Sequence, residues 1–225
     1  MIRYLLKKIE PILIKIYRKI SQGPSPNLAG DRDIEYSFVA ANLPDGPGKA
    51  LDFGSGQSYL GLLSSRKGFE TTAFDLQEIN WFYSYPKLNF IKGDILKENF
   101  PSENFDLIIS CSTIEHVGLA GRYGVDKNEA LADLKAIEIL KKILKRGGIM
   151  ILTIPVGKGT AFPTLHRVYG EERLKKLLNG FEILKKEFWL KDKNNHWQIV
   201  QENSAFNEKP KPYYYALGLF VLKKC

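Results

Sequence analysis

The hydrophobic pattern divides most of the chain into short apolar runs and longer stretches with helical spacing. Five runs predict buried strands because each is short and apolar. They are residues 50–53, 71–75, 88–94, 105–111 and 148–155. Leucines and isoleucines at helical spacing predict a helix over residues 128–144, with Gly147 as its stop. The pattern therefore predicts strands and helices that follow one another along the chain.

Both ends of this region carry further elements. A helix is expected to follow residues 164–169 and to end near Leu178, and residues 181–190 and 214–222 predict a final strand pair. Residues 38–43 predict a helix, preceded by residues 31–36 and ended by residues 44–47. In that leading segment a solvated helix start is the favoured interpretation of Arg32, Glu35 and Tyr36, and a border of the active site is the alternative.

The first strand runs into a glycine turn that carries candidate chemistry. Gly54, Ser55 and Gly56 break the strand after Asp52, and residues 59–63 predict the start of a helix. A strand that feeds a glycine turn into a helix lets backbone N–H groups face a ligand. An ordinary tight turn explains two glycines about as well, so the turn alone decides little.

A second acid sharpens the interpretation of this turn. Asp75 ends the second strand 21 residues beyond Gly54, and dinucleotide-binding folds place a ribose-binding acid about 20 residues beyond their glycine turn. No third glycine completes the dinucleotide pattern, which argues against NAD and favours another adenosine ligand. Surface acids at strand ends are the alternative for Asp52 and Asp75.

These pieces, in this order, resemble the class I S-adenosylmethionine-dependent methyltransferases. Residues 51–56 resemble the cofactor loop of that family, with Ser58 at the usual third glycine, and residues 105–110 resemble its fourth strand. The resemblance implies a doubly wound, Rossmann-like α/β fold with a seven-stranded, mostly parallel sheet and an antiparallel C-terminal strand. It also implies S-adenosyl-L-methionine as cofactor. The cofactor-binding residues it implies are Asp52, Phe53, Gly54, Ser55, Gly56, Ser58, Asp75, Leu76, Gly93, Asp94, Ile95, Ser110, Cys111 and Ser112.

Ligands bind outside the carboxyl ends of the strands in open parallel sheets, so the segment after the fourth strand is expected beside the methyl donor. His116, with Glu115, is the candidate catalytic group because the ordinary pKa of histidine suits a general base. The alternative role of His116, almost equally favoured, is to anchor its loop by hydrogen bonds. Arg122, Tyr123, His166 and Arg167 are the candidate substrate-binding residues, with loop anchoring as the alternative for His166. Residues 192–212 are expected to cover the acceptor.

Most of the net positive charge lies near the N-terminus. Residues 1–20 carry six basic residues against Glu10, so they hold +5 of the net charge of +8. Their apolar positions fall on one face of a helix that Pro11 should kink or split. Packing on the domain or on a second subunit is the favoured interpretation, and peripheral membrane contact is the alternative. We therefore divide the chain into an N-terminal segment, residues 1–27, and a methyltransferase domain, residues 28–225.

The remaining composition excludes several classes of function. The weak positive charge beyond residue 20 argues against a nucleic-acid partner. The three histidines and two cysteines have no metal-ligand spacing, so no metal is expected. Few cysteines and the lack of a signal peptide or membrane span predict a cytoplasmic protein, peripheral at the membrane if the N-terminal segment binds lipid.

The acceptor is therefore expected to be a small molecule or a lipid-linked cell-envelope intermediate, methylated on oxygen. A non-catalytic S-adenosylmethionine-binding module that assembles with a partner through the N-terminal helix is the alternative function.

Overall fold

The computed structural model describes residues 29–121 and 123–225. Its helices are α1 (Asp31–Asn42), α2 (Leu60–Arg66), α3 (Ala132–Ile143), α4 (Glu171–Leu177) and α5 (Glu202–Asn207). Its strands are β1 (Gly48–Phe53), β2 (Phe69–Asp75), β3 (Leu88–Lys92), β4 (Phe105–Cys111), β5 (Leu144–Val156), β6 (Thr160–Phe162), β7 (His166–Val168), β8 (Phe181–Lys191), β9 (Trp197–Ile199) and β10 (Ala216–Lys224). The predicted N-terminal segment, residues 1–27, and the candidate Arg122 lie outside the described residues.

The main sheet confirms the predicted doubly wound architecture. Its strand order is β3-β2-β1-β4-β5-β10-β8-β9, with parallel pairing from β3 to β5. Strand β10 is antiparallel to both β5 and β8, as predicted for the C-terminal strand. Strands β2 and β3 are added on one side of β1, and β4 and β5 on the other, so the strand order reverses between β1 and β4. Open α/β sheets bind ligands at the carboxyl ends of the strands at such a point.

The number of strands in this sheet is a correction to the prediction. The sheet has eight strands rather than seven, because β9 pairs with the end of β8 as an additional antiparallel edge strand. Strand β9 and helix α5 both lie within residues 192–212, where Phe206 of α5 packs against Phe188 of β8 at 5.6 Å between ring centroids. Three residues of strand are too short for a hydrophobic alternation to be visible in the sequence.

Alternate residues of the central strands pack on opposite faces of the sheet. Ile108 and Leu152 face a core shared with Ile137 of α3 and Leu177 of α4. Neighbouring strand residues, such as Ile109, belong to the opposite core with residues of α1 and α2. Strands buried on both faces are read as continuous apolar runs, which is why β4 and β5 were predictable.

The ends of two helices differ from the prediction for identifiable reasons. Helix α1 begins at Asp31 rather than Phe38, and Asp31 and Asp33 in its first turn suit the positive end of the helix dipole. Helix α3 begins later than predicted because the segment before it bonds to another loop. There the Glu129 N–H donates to Gly118 O at 2.8 Å, and Asn128 Oδ1 accepts from the Ala120 N–H at 2.8 Å. Within the described ranges, no helix is both long and apolar enough to cross a bilayer.

Candidate functional site

A cavity of about 890 Å³ opens at the carboxyl ends of β1, β2 and β4. Every residue predicted to bind the cofactor lines this cavity except Ser110, which is fully buried in β4. The candidates His116 and Tyr123 line it as well, together with Arg32 and Tyr36 of α1. The fold therefore gathers the predicted cofactor residues at the switch point and adds a wall from α1.

The glycine turn at the base of the cavity requires its first glycine. A Cβ atom at Gly54 would lie 2.1 Å from Thr113 Cγ2, and the φ angle of +72° is one that other residues rarely adopt. The N–H groups of Gly54 and Ser55 donate to Phe74 O at 2.8 and 3.2 Å, which fixes the turn against β2. At Gly56 an added Cβ would meet open space, so this side of the turn is accessible from the cavity.

Asp75 holds two loops together at the edge of the cavity. Its Oδ2 accepts from the Gly56 N–H at 2.9 Å, and its Oδ1 accepts from the Gln77 N–H at 2.9 Å. Two further bonds join the segment after β2 to the glycine turn, because Trp81 Nε1 donates to Gly56 O at 3.1 Å and the Tyr83 hydroxyl to Ser58 O at 2.9 Å. The carboxylate of Asp75 is therefore oriented before any ligand binds.

Two buried polar atoms in the cavity wall have no hydrogen-bond partner among the described residues. They are Asp52 Oδ2 and Ser55 Oγ, on side chains that are almost fully buried. Burial raises the pKa of Asp52 to about 7, and the nearby charge of Asp75 adds to this effect. A buried acceptor and a buried hydroxyl without partners are unfavourable unless a ligand satisfies them.

His116 lies on a short 3₁₀ turn after β4 and is anchored through one ring nitrogen. Its Nδ1 is 2.6 Å from Leu165 O, which can only accept a hydrogen bond, so the neutral ring carries its proton on Nδ1. The ring of Tyr123 packs edge-on at 5.3 Å between centroids. The Nε2 atom lies 3.8 Å from Glu115 Oε1. The neutral ring is therefore in the tautomer whose Nε2 can accept a proton.

Glu115, predicted to be catalytic, is a neighbour of His116 that does not line the cavity. Its side chain is buried, and its Oε2 has no hydrogen-bond partner within the described part of the chain. Burial raises the pKa of Glu115 to about 8, and the charge of Glu35 contributes. Glu115 therefore contacts the cavity through its neighbours, His116 and Ser112.

Two predicted substrate-binding residues occupy the interior instead. The Arg167 guanidinium donates to Val117 O at 2.6 Å and to Glu129 O at 2.9 Å, and it lies outside the lining of the cavity. Its Nη1 also donates to Glu115 O at 3.3 Å. Arg167 thus holds the carbonyl groups on both sides of His116, and its contact with a substrate stays a prediction. His166 is buried against Tyr215, at 4.9 Å between ring centroids.

The structure also identifies a network that the favoured sequence interpretation misses. Glu35 is fully buried rather than solvated, and its Oε2 accepts from Arg32 Nη1 at 2.6 Å. Its Oε1 accepts from Ser112 Oγ at 2.5 Å and from Thr153 Oγ1 at 2.7 Å. Burial raises the pKa of Glu35, and Arg32 and both hydroxyl groups oppose that shift. This network ties α1 to the ends of β4 and β5 beside the cavity.

The sequence comparisons locate the chain in an uncharacterised family. A family model described as "Caenorhabditis protein of unknown function, DUF268" matches residues 87–225, a range that contains the His116 turn but not the glycine turn. No curated protein matches the sequence.

Comparison with solved structures shows the fold of the class I S-adenosylmethionine-dependent methyltransferases. Burkholderia thailandensis 1,6-didemethyltoxoflavin-N1-methyltransferase, solved with 1,6-didemethyltoxoflavin and S-adenosylhomocysteine, is 14% identical with a TM-score of 0.56, over 99% of this chain and 90% of that one. An S-adenosylmethionine-dependent methyltransferase from Mesorhizobium loti is 13% identical with a TM-score of 0.56, over 84% and 97%. The [4+2]-cyclase SpnF is 16% identical with a TM-score of 0.58, over 85% and 80%. The fold thus occurs in methyltransferases and in a cyclase.

Proposed function

The chain belongs to the family described as Caenorhabditis protein of unknown function, DUF268, and we propose that this member is an S-adenosylmethionine-dependent methyltransferase. The observation that carries the proposal is the pair of buried, unpartnered atoms, Asp52 Oδ2 and Ser55 Oγ, in a cavity beside the oriented carboxylate of Asp75. An amino acid joined to a ribose satisfies all three. Its ammonium group suits Asp52, its carboxylate suits Ser55 Oγ, and its ribose hydroxyls suit Asp75.

The remaining candidate cofactor residues complete this binding site. Gly56 leaves room at the turn, and Leu76, half-exposed in the cavity wall, offers an apolar surface for an adenine. Gly93, Asp94 and Ile95 line the same end of the cavity. S-adenosylmethionine would supply a methyl group bound to a sulfonium sulfur, and the neutral thioether S-adenosylhomocysteine would be the leaving group.

The chain's own contribution to transfer is alignment and removal of the acceptor's proton. Alignment of two bound reactants supplies a large part of the acceleration in such displacements. His116 is the proposed general base, because its Nδ1 is held by Leu165 O and its Nε2 is the proton acceptor of the neutral ring. The proposed acceptor is a small molecule or a lipid-linked intermediate, methylated on oxygen.

Calorimetry with S-adenosylhomocysteine and NAD tests the cofactor proposal. S-adenosylhomocysteine should bind, and NAD should not. The affinity for S-adenosylhomocysteine should also depend on pH through Asp52, because an ammonium group pairs only with the ionised carboxylate. With the pKa of Asp52 at about 7, the affinity should level off well above pH 7 and should fall by about tenfold per pH unit well below it. Asp52→Asn should bind more weakly and lose this pH dependence. If S-adenosylhomocysteine does not bind at pH 8, the proposal is wrong.

Catalysis is tested separately, because a non-catalytic binding module would pass the calorimetric test. The purified protein is incubated with S-adenosylmethionine, radiolabelled in its methyl group, and with fractions of a cell extract. It should yield S-adenosylhomocysteine and a labelled product. Binding without turnover in any fraction would favour the non-catalytic module that assembles with a partner.

We also propose that residues 1–20 form a segment separate from the catalytic domain, because their charge of +5 and single apolar face are unlike the rest of the chain. If this segment contacts membranes, the full chain should sediment with vesicles that contain anionic lipid and should be released as salt rises. Deletion of residues 1–20 should abolish sedimentation and preserve S-adenosylhomocysteine binding. If the segment instead forms a dimer contact, deletion should change the mass measured by light scattering, and neither form should bind vesicles.

A further inference from the structure

Arg32 is a cation held in place from its inner side. Its Nη1 donates to the fully buried carboxylate of Glu35 at 2.6 Å, and that carboxylate is itself fixed by the hydroxyl groups of Ser112 and Thr153. A buried carboxylate with three donors cannot turn away from the guanidinium without losing those bonds. The orientation of Arg32 is therefore set by the protein and not by solvent.

The outer side of the same guanidinium is available to a ligand. Its side chain is 48% exposed and lines the cavity. A guanidinium has five N–H donors in a planar fork, and the bond to Glu35 uses one of them. The rest of the fork suits a carboxylate or a phosphate, which two parallel N–H donors can bind.

The donor's own carboxylate has another partner in this site. The unpartnered Ser55 Oγ and Asp52 Oδ2 lie in the glycine turn and the end of β1, where they suit the amino-acid part of the cofactor. Arg32 belongs to α1, and its charge interacts first with Glu35 and then with Cys111 at the end of β4, Asp31 and Glu115. Because α1 supplies none of the proposed cofactor contacts, we assign Arg32 to the acceptor side of the cavity.

A second cation in the lining of the cavity also favours an anionic ligand. Lys127 lines the cavity and is exposed, with no ion pair to any described residue. Glu129, the acid of the lining that is nearest to Lys127 along the chain, is already paired with Lys135. Lys127 is therefore, like Arg32, a cation of the described wall that an anion can meet, whereas the charges of Asp31 and Glu115 act on Arg32 from residues outside the lining.

We propose that the methyl acceptor carries a carboxylate or phosphate group, and that Arg32, oriented by Glu35, binds this group. The inference rests on the proposed methyltransferase function and adds the chemical class of its substrate. The bound acidic group is an anchor that holds the acceptor beside His116, and the methylated oxygen is a separate group of the same molecule.

Paired aromatic probes test this assignment, since the tyrosines Tyr36 and Tyr123 both line the cavity. We would titrate 4-hydroxybenzoate and 4-hydroxybenzamide, and phenyl phosphate and phenol, into the protein with and without saturating S-adenosylhomocysteine. Charged hydrogen bonds should make each acid bind about 10- to 150-fold more tightly than its neutral partner. Arg32→Ala should abolish this preference, and Arg32→Lys should retain only part of it because lysine lacks the fork. Lys97→Ala removes a cation from the cofactor end and should leave the preference unchanged.

These titrations show whether Arg32 binds an acidic acceptor or the carboxylate of the cofactor. They also test this inference separately from the proposed methyltransferase function. Arg32→Ala with unchanged S-adenosylhomocysteine affinity and no preference for acids supports the inference. A loss of S-adenosylhomocysteine affinity in Arg32→Ala would assign Arg32 to the cofactor's carboxylate and overturn it. The inference would also be overturned if the wild type bound acids and their neutral partners equally, with or without S-adenosylhomocysteine. Failure of S-adenosylhomocysteine to bind the wild type would instead refute the proposed function, and the titrations without it would still decide the preference for acids.

Discussion

Replacement of His116 by alanine should lower kcat by roughly 10²–10⁴-fold, the usual contribution of a general base. The reason is that the Leu165 carbonyl holds the Nδ1 proton, which leaves Nε2 as the proton acceptor of the neutral ring. The affinity for S-adenosylhomocysteine should be unchanged, because the proposed contacts to the cofactor come from other residues. The measurement is single-turnover methylation of the acceptor identified by radiolabelling.

The alternative role of His116 as a loop anchor is separated from catalysis by His116→Asn. An asparagine amide can donate to Leu165 O much as the ring Nδ1 does, but it cannot accept a proton at neutral pH. If His116 is the base, the alanine and asparagine variants should be equally slow. If asparagine restores turnover, the hydrogen bond to Leu165 is what matters and alignment alone drives the transfer.

The parts of the site that the sequence predicted are those that local chemistry dictates. Gly54 must be glycine because Thr113 fills the space of its side chain, and the turn it forms follows directly from strand β1. Asp75 ends the neighbouring parallel strand, so its distance along the chain is fixed by one βαβ unit. Spacing of this kind is visible in a sequence, and the cavity lining confirms that these residues lie together.

The parts that escaped prediction depend on contacts between distant segments. Glu35 bonds to Ser112 and Thr153, which are 77 and 118 residues away, and neither spacing has a local signature. An acid at the start of a helix is ordinarily solvated, so its complete burial follows only from the packing of α1 on the sheet. The bonds from Arg167 to the carbonyl groups of Glu115 and Val117 likewise join segments about 50 residues apart and have no local signature, and the predicted contact of Arg167 with a substrate stays a prediction.

The cofactor end and the proposed acceptor end of the cavity differ in how far their residues are separated along the chain. The cofactor end is assembled from β1, β2 and their loops, which carry recognisable motifs. The proposed acceptor end is lined by Arg32 and Tyr36 of α1, by His116 and by Tyr123, which come from separate elements. Fold alone does not assign an acceptor, so the charge of Arg32 is the most informative feature of that end.

Loss of the Asp75 carboxylate should weaken S-adenosylhomocysteine binding by about 10- to 150-fold, the equivalent of 1.5–3 kcal/mol for charged hydrogen bonds. Asp75→Ala removes the proposed contact to the ribose hydroxyls, and it also removes the bonds to the Gly56 and Gln77 N–H groups. Asp75→Asn keeps one acceptor oxygen and should lose less affinity. Calorimetry on the three proteins at pH 8 gives the comparison.

The effect of Asp75 on the loops and its effect on the ribose can be separated with a second ligand. We would measure the 2′-deoxy form of S-adenosylhomocysteine against the wild type and against Asp75→Ala. If Asp75 binds the ribose, removal of the 2′-hydroxyl should weaken binding to the wild type but have little further effect in the variant, since both changes delete the same interaction. If the two losses add in full, Asp75 only orders the glycine turn. Unaltered S-adenosylhomocysteine affinity in Asp75→Ala would remove it from the binding site altogether.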